Sequence, residues 1–203
     1  MGKRRKIGIM GGSFNPIHYG HLLMAENARQ QYDLDKVWFM PNGNPPHKDG
    51  KTMLDAETRC IMTELAIYDN KYFVLSRHEA DKENVSYTYN TLTELTRTYK
   101  DTEFYFIMGG DSIDYFEDWA HPEIISKLCV ILVAARDDVE TAKLESRISE
   151  ISGKYGSDIR IISSPPFDVS SNMIRERVRK GISIKYLLPS EVEEYIMEHN
   201  LYE

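Results

Sequence analysis

A chain of 203 residues with 41% hydrophobic and 28% charged side chains has the composition of an ordinary folded domain, long enough to bury a core without disulfide or metal staples. A formal net charge of -7 argues against a nucleic-acid surface, which needs clustered Lys and Arg, and no apolar run approaches the length of a membrane span. The two cysteines, Cys60 and Cys129, read as buried reduced thiols, and Gly11 and Gly12 cut the apolar stretch after the basic start too short for a signal peptide, so the expected compartment is the cytoplasm.

The first expected element is a strand, Lys6 to Met10, running into GGSFNPIHYGH at residues 11 to 21. Gly11 and Gly12 lack a Cβ, so phosphates can approach the main chain, and the helix that follows offers unpaired N–H groups and a positive dipole end. His18 and His21 stand nearly one helical turn apart, which turns both rings the same way. Paired imidazoles beside bare amides suit a group whose negative charge grows during reaction. The dinucleotide fingerprint G-x-G-x-x-G is absent after this strand, and the phosphate loop G-x-x-x-x-G-K-[ST] is absent throughout.

Further along, the sequence predicts strands at Val37 to Met40, Tyr72 to Leu75, Phe104 to Met108, Val130 to Ala134 and Ile159 to Ile162. Thr88, Leu92, Leu95 and Tyr99 recur at helical spacing, as do Leu144, Ile148 and Ile151. A helix carrying Ile174 and Val178 on its apolar side stops at Gly181. Ser190 and Glu193 form a capping-box pattern ahead of a closing helix with Val192 and Ile196. The alternation predicts an α/β, Rossmann-like architecture: a mainly parallel sheet of about six strands, helices on both faces and a C-terminal helical segment, as one domain over residues 1–203.

The polar motifs share one address in that scheme. GGSFNPIH follows strand one, PNGNPPHK strand two, GGDS strand four, Arg136 strand five and SSPPFDVSS strand six. Ligands of an open parallel sheet bind outside the carboxyl ends of its strands. The motifs are therefore expected to converge on one cleft.

On these residues a family resemblance rests. GGSFNPIHYGH resembles the (T/H)xGH signature of the nucleotidyltransferase superfamily, and its Ser-Phe-Asn-Pro-Ile-His form is similar to the bacterial nicotinate-nucleotide adenylyltransferases. PPHK, GGDS and VSSNMIR resemble further elements of that family, the last with Asn172 where the family prefers Thr. Asn90 stands where Asp is frequent, and Arg136-Asp137-Asp138 where Arg-Pro-Gly is frequent. The likeness runs from Ile7 to Tyr202.

The resemblance implies transfer of AMP from ATP to nicotinate mononucleotide, giving deamido-NAD and pyrophosphate. It implies His18, His21, Lys48 and Arg175 as catalytic residues. It places Gly11, Gly12, Ser13, Phe14, Gly109, Asp111, Ser112, Arg136, Ser170 and Ser171 around ATP, and Asn42, Lys48, Thr88 and Trp119 around nicotinate mononucleotide. The attacking phosphate arrives as an anion, so catalysis reduces to alignment and charge stabilisation without a covalent intermediate. Magnesium is expected to enter with ATP, held by phosphates and water, with no protein metal site. No nucleic-acid or membrane partner is expected, and the sequence is compatible with a homo-oligomer. Two other readings stay open: a related small nucleotidyltransferase acting on phosphopantetheine or glycerol 3-phosphate, and a nucleotide-binding regulator without catalysis.

Overall fold

Apolar runs that do not alternate belong to strands covered on both faces, and the six such runs form one parallel sheet. The computed structural model describes residues 4–43, 53–82, 85–135, 138–165 and 167–203, and of residues 138–141 the backbone only. The strands are β1 (Arg5–Gly12), β2 (Lys36–Pro41), β3 (Phe73–Leu75), β4 (Thr102–Gly109), β5 (Val130–Ala135) and β6 (Ile159–Ser163). Their order is β3-β2-β1-β4-β5-β6, every neighbouring pair parallel. The chain thus changes direction across the sheet between β1 and β4, where an open α/β sheet forms its ligand crevice.

Helices α1 (Tyr19–Gln31), α2 (Ala56–Ile67), α7 (Ser171–Arg179) and α8 (Ser190–Glu198) cover one face. Their core includes Ala25, Met62, Ile174, Val192 and Ile196 packed on Met10, Phe39 and Ile107. Helices α3 (Thr88–Thr98), α4 (Gly110–Asp114), α5 (Pro122–Leu128) and α6 (Asp138–Tyr155) belong to the other, where Leu92, Ile113, Ile125 and Ile151 meet Ile9, Phe106 and Ile131. Gly8 in β1 is required by this packing, since a Cβ there would lie 2.9 Å from Leu34 Cδ1 and 3.1 Å from Ile107 Cδ1.

Several boundaries differ from the sequence expectation for local reasons. β1 runs on through Gly11 and Gly12, which pair with Met40 and Pro41, because β2 offers a full ladder where two glycines alone signal a turn. β3 starts at Phe73, since the Tyr72 N–H donates to Asn70 Oδ1 at 3.0 Å in the preceding turn. The expected capping box at Ser190 does not form. Pro189 is the cap, its carbonyl accepts from the Val192 and Glu193 N–H groups, and the Ser190 hydroxyl donates to Glu191. Gly181 ends α7 as expected: it has φ +62°, and the Gly181 and Ile182 N–H groups return to the Val178 and Arg177 carbonyls. Cys60 and Cys129 are buried and unbridged. No helix among the described residues is long and apolar enough to cross a membrane.

Candidate active site

Two cavities open at the carboxyl ends of β1 and β4. The first, of about 270 Å³, is lined by Met40, Asn42, Glu79, Ser86, Tyr87, Thr88, Thr91 and Leu92, with Ala120 and Ile125 behind. The second, of about 460 Å³, is lined by Ser13, His18, Gly20, His21, Met24, Gly109, Gly110, Ser112, Ala134, Phe167, Ser170 and Ser171. Gly11, Gly12, Phe106 and Trp119 border both. The partition between the cavities is therefore two bare backbone residues facing two aromatic rings, and a ligand can pass from one to the other over Gly11 and Gly12.

His18 is the N-cap of α1 and is buried, 6% exposed. Its ring lies against that of His21, centroids 3.8 Å apart and planes inclined by 33°. The His18 backbone N–H donates to His21 Nδ1 at 3.2 Å, so the neutral His21 ring carries its proton on Nε2 as a donor. Phe14 sets the edge of this pair from below, its centroid 5.1 Å from that of His21 at 82°. A Cβ at Gly20, in the same motif, would lie 3.0 Å from His18 Nδ1 and would press on that ring.

Burial pushes the His18 pKa from the usual 6.5 down to about 4, so at neutral pH this ring is a neutral hydrogen-bonding group and not a cation. A stability consequence follows. Between pH 6.5 and 4 the unfolded chain takes up a proton that the folded chain refuses, so the contribution is complete above 6.5 and is lost as the pH falls through 4. The shift corresponds to about 3 kcal/mol. We expect the urea midpoint of the wild type to fall more steeply over this window than that of His18→Gln; equal slopes would contradict a buried neutral ring.

The start of α7 closes the second cavity. Ser170 caps the helix, its Oγ accepting from the Met173 N–H at 3.2 Å, and the Ser171 hydroxyl donates to the Pro16 carbonyl at 2.8 Å. Cap and loop are thus tied together, with unpaired N–H groups of the first turn beside the histidines. In the first cavity Thr91 Oγ1 donates to Glu79 Oε1 at 2.6 Å, and burial raises the Glu79 carboxyl pKa. Trp119 stands edge-on to Phe106, centroids 5.8 Å apart at 88°, which leaves its ring along the partition.

Most residues expected at the cleft line it: Ser13, His18, His21, Gly109, Ser112, Ser170 and Ser171 on the second side, Asn42 and Thr88 on the first, and Gly11, Gly12 and Trp119 on both. Three do not. Phe14 is 1% exposed and belongs to the floor, because its side chain is clasped between Gly12, His21 and Phe39. Arg175 directs Nη1 to the Asn15 carbonyl at 2.8 Å and Nη2 to Asn172 Oδ1 at 3.0 Å, so its guanidinium braces the loop before α1. Asp111 lies in a small depression with Asp114 and Lys143 that shares Gly110, Ala134 and Ala135 with the second cavity. Lys48 and Arg136 lie outside the described residues. Sequence reasoning missed Gly20, Met24, Glu79, Phe106 and Phe167, whose types carry no chemical signature; the glycine within the His-bearing motif was the one legible hint.

Residues 9–177 match the model of the cytidylyltransferase-like family. A probable nicotinate-nucleotide adenylyltransferase of Lachnoclostridium phytofermentans is 46% identical over 198 residues, covering 98% of this chain and 99% of that one. Its counterpart in Thermoanaerobacter sp. is 41% identical over 203 residues, covering 100% and 96%. Among solved structures, a Plasmodium falciparum nicotinic acid mononucleotide adenylyltransferase complexed with NaAD superposes with a TM-score of 0.80 at 20% identity, over 98% of this chain and 97% of that one. At that identity the likeness speaks for the fold.

Proposed function

The chain belongs to the cytidylyltransferase-like family and, within it, to the nicotinate-nucleotide adenylyltransferases, and on that premise we propose that its two cavities bind ATP and nicotinate mononucleotide and join them as deamido-NAD. The observation that carries this reading is the shared wall at Gly11, Gly12, Phe106 and Trp119. Two substrates between which one adenylyl group passes need two pockets meeting where the main chain is bare, and these pockets differ in the required way. The smaller adds Tyr87, Met40, Leu92 and Ile125 to the shared indole, a largely apolar lining for a flat ring. The larger has hydroxyls, imidazoles and a helix start for a polyphosphate.

In the proposed reaction an oxygen of the mononucleotide 5′-phosphate attacks the α-phosphorus of ATP in line. The new P–O bond forms as the bond from the α-phosphorus to the bridging oxygen breaks, and its electron pair leaves with pyrophosphate. No enzyme group is attacked. His21 donates from Nε2 to an oxygen whose charge grows, and His18, pressed against it, fixes its direction. The Ser170 hydroxyl and the first-turn amides of α7, that of Ser171 among them, hold the leaving phosphates. Lys48 supplies positive charge from the second loop, and Arg175 supplies it from beneath the first while bracing Asn15.

Magnesium comes as the ATP complex and supplies charge neutralisation along the phosphates. Phosphate oxygens and water would be its ligands in this reading.

Supplying magnesium and ATP with nicotinate mononucleotide, nicotinamide mononucleotide or phosphopantetheine, and weighing the products by mass spectrometry, tests the reading. We expect efficient turnover with the first alone. Faster turnover of phosphopantetheine, or ATP binding with no pyrophosphate released, would replace it with a related transferase or with a regulator.

A further inference from the structure

The reaction above makes no use of one fully buried charge among the described residues. Arg59, near the start of α2, is 0% exposed, and its hydrogen bonds to the described residues all go to neutral oxygens. Nε donates to the Leu54 carbonyl at 3.0 Å. Nη1 reaches the Ser13 carbonyl at 2.8 Å and Asn42 Oδ1 at 3.4 Å, and Nη2 the Asn42 and Gly43 carbonyls at 2.6 Å and 3.2 Å.

Burying a guanidinium with no ion pair to a carboxylate among the described residues costs more than burying leucine or methionine, which would pack a helix face as well. What the guanidinium adds is a rigid planar fork that fits several carbonyls at once. Those carbonyls are not arbitrary. Ser13 lines the larger cavity and Asn42 the smaller one, on the two sides of the Gly11–Gly12 partition. One side chain therefore spans the underside of both walls. The Asn42 N–H also donates to the Gly12 carbonyl at 2.9 Å, which closes the link above.

We propose that Arg59 is a positioning residue that holds the nucleotide loop and the mononucleotide loop at a fixed separation and so aligns the two substrates for in-line attack. The proposal rests on reading the two cavities as the two substrate sites. Each substrate alone finds its own pocket in an Arg59 variant, while the joint step suffers, because alignment of reacting groups is sensitive to shifts of about 1 Å. Lysine keeps the charge and loses the fork, so it should not restore alignment.

The test compares wild type, Arg59→Lys and Arg59→Gln. Binding of ATP alone and of nicotinate mononucleotide alone is measured by calorimetry, turnover at saturation by pyrophosphate release, and amide exchange by mass spectrometry. We expect each affinity in Arg59→Lys to stay within about threefold, turnover to fall at least about tenfold, and exchange to quicken in segments 11–16 and 40–43 but not in β4. Unchanged turnover in a folded variant, or a loss confined to the affinity for one substrate, would overturn the proposal, as would failure of both variants to fold. Should the wild type prove unable to join these substrates, the functional reading fails, and the exchange measurement still decides whether Arg59 holds both loops.

Discussion

Replacing His21 with alanine is expected to slow turnover at least a hundredfold in a protein that still folds. The ring is only partly buried, so its loss opens no large core cavity. Its direction, by contrast, is set three times over: by the N–H bond from His18 to Nδ1, by the His18 ring 3.8 Å away, and by the Phe14 edge. A donor held this firmly costs little reorganisation when charge develops, and removing one such donor typically costs about 3 kcal/mol of transition-state stabilisation. The loss should appear in turnover at saturation, with ATP affinity little changed. Steady-state pyrophosphate release together with thermal unfolding checks it. Turnover within a few-fold of wild type in a folded His21→Ala protein would remove His21 from the chemistry.

Phe14→Ala carries the largest expected effect on stability, about 3–5 kcal/mol, the usual range for emptying a buried phenylalanine site. The side chain is 1% exposed and fills the space between Gly12, His21 and Phe39, whose ring centroid is 5.9 Å away. Its neighbours belong to the sheet and the partition, so they cannot collapse into the gap without moving the site. Phe14→Leu keeps most of the volume and should recover most of the stability. Urea unfolding measures the difference, and turnover should fall with it as His21 loses its support. An unaltered midpoint in Phe14→Ala would return Phe14 to the surface of the nucleotide cavity, where the motif had suggested it.

The contrast between these two residues shows what a sequence makes legible. His21 announces itself, because imidazole is rare and its spacing from His18 has a geometric meaning that any helix start would honour. Phe14 sits in the same eleven residues, and nothing in the motif says whether its ring meets a ligand or supports the residue that does. Arg59 is the extreme case. Within AETRCIMTELAI it reads as one charge on an amphipathic helix, and its burial depends on which loops the fold lays over that face. Arg175 follows the same logic, since its reach to the Asn15 carbonyl joins residues 160 apart in the chain.

By itself the sequence determined the six strands, their parallel class, the helix end at Gly181, the His18 and His21 pair and the meeting of the motifs around His18, Gly109 and Ser170 at one rim. Each of these follows from backbone preferences and side-chain periods that act over a few residues. The tertiary structure alone decided the strand order, the continuation of β1 through Gly11 and Gly12, the split of the cleft into two cavities and the placing of Phe14, Arg59 and Arg175 beneath it. Those outcomes depend on contacts between segments brought together only when the sheet closes, and no local pattern encodes which distant carbonyl a buried guanidinium will find.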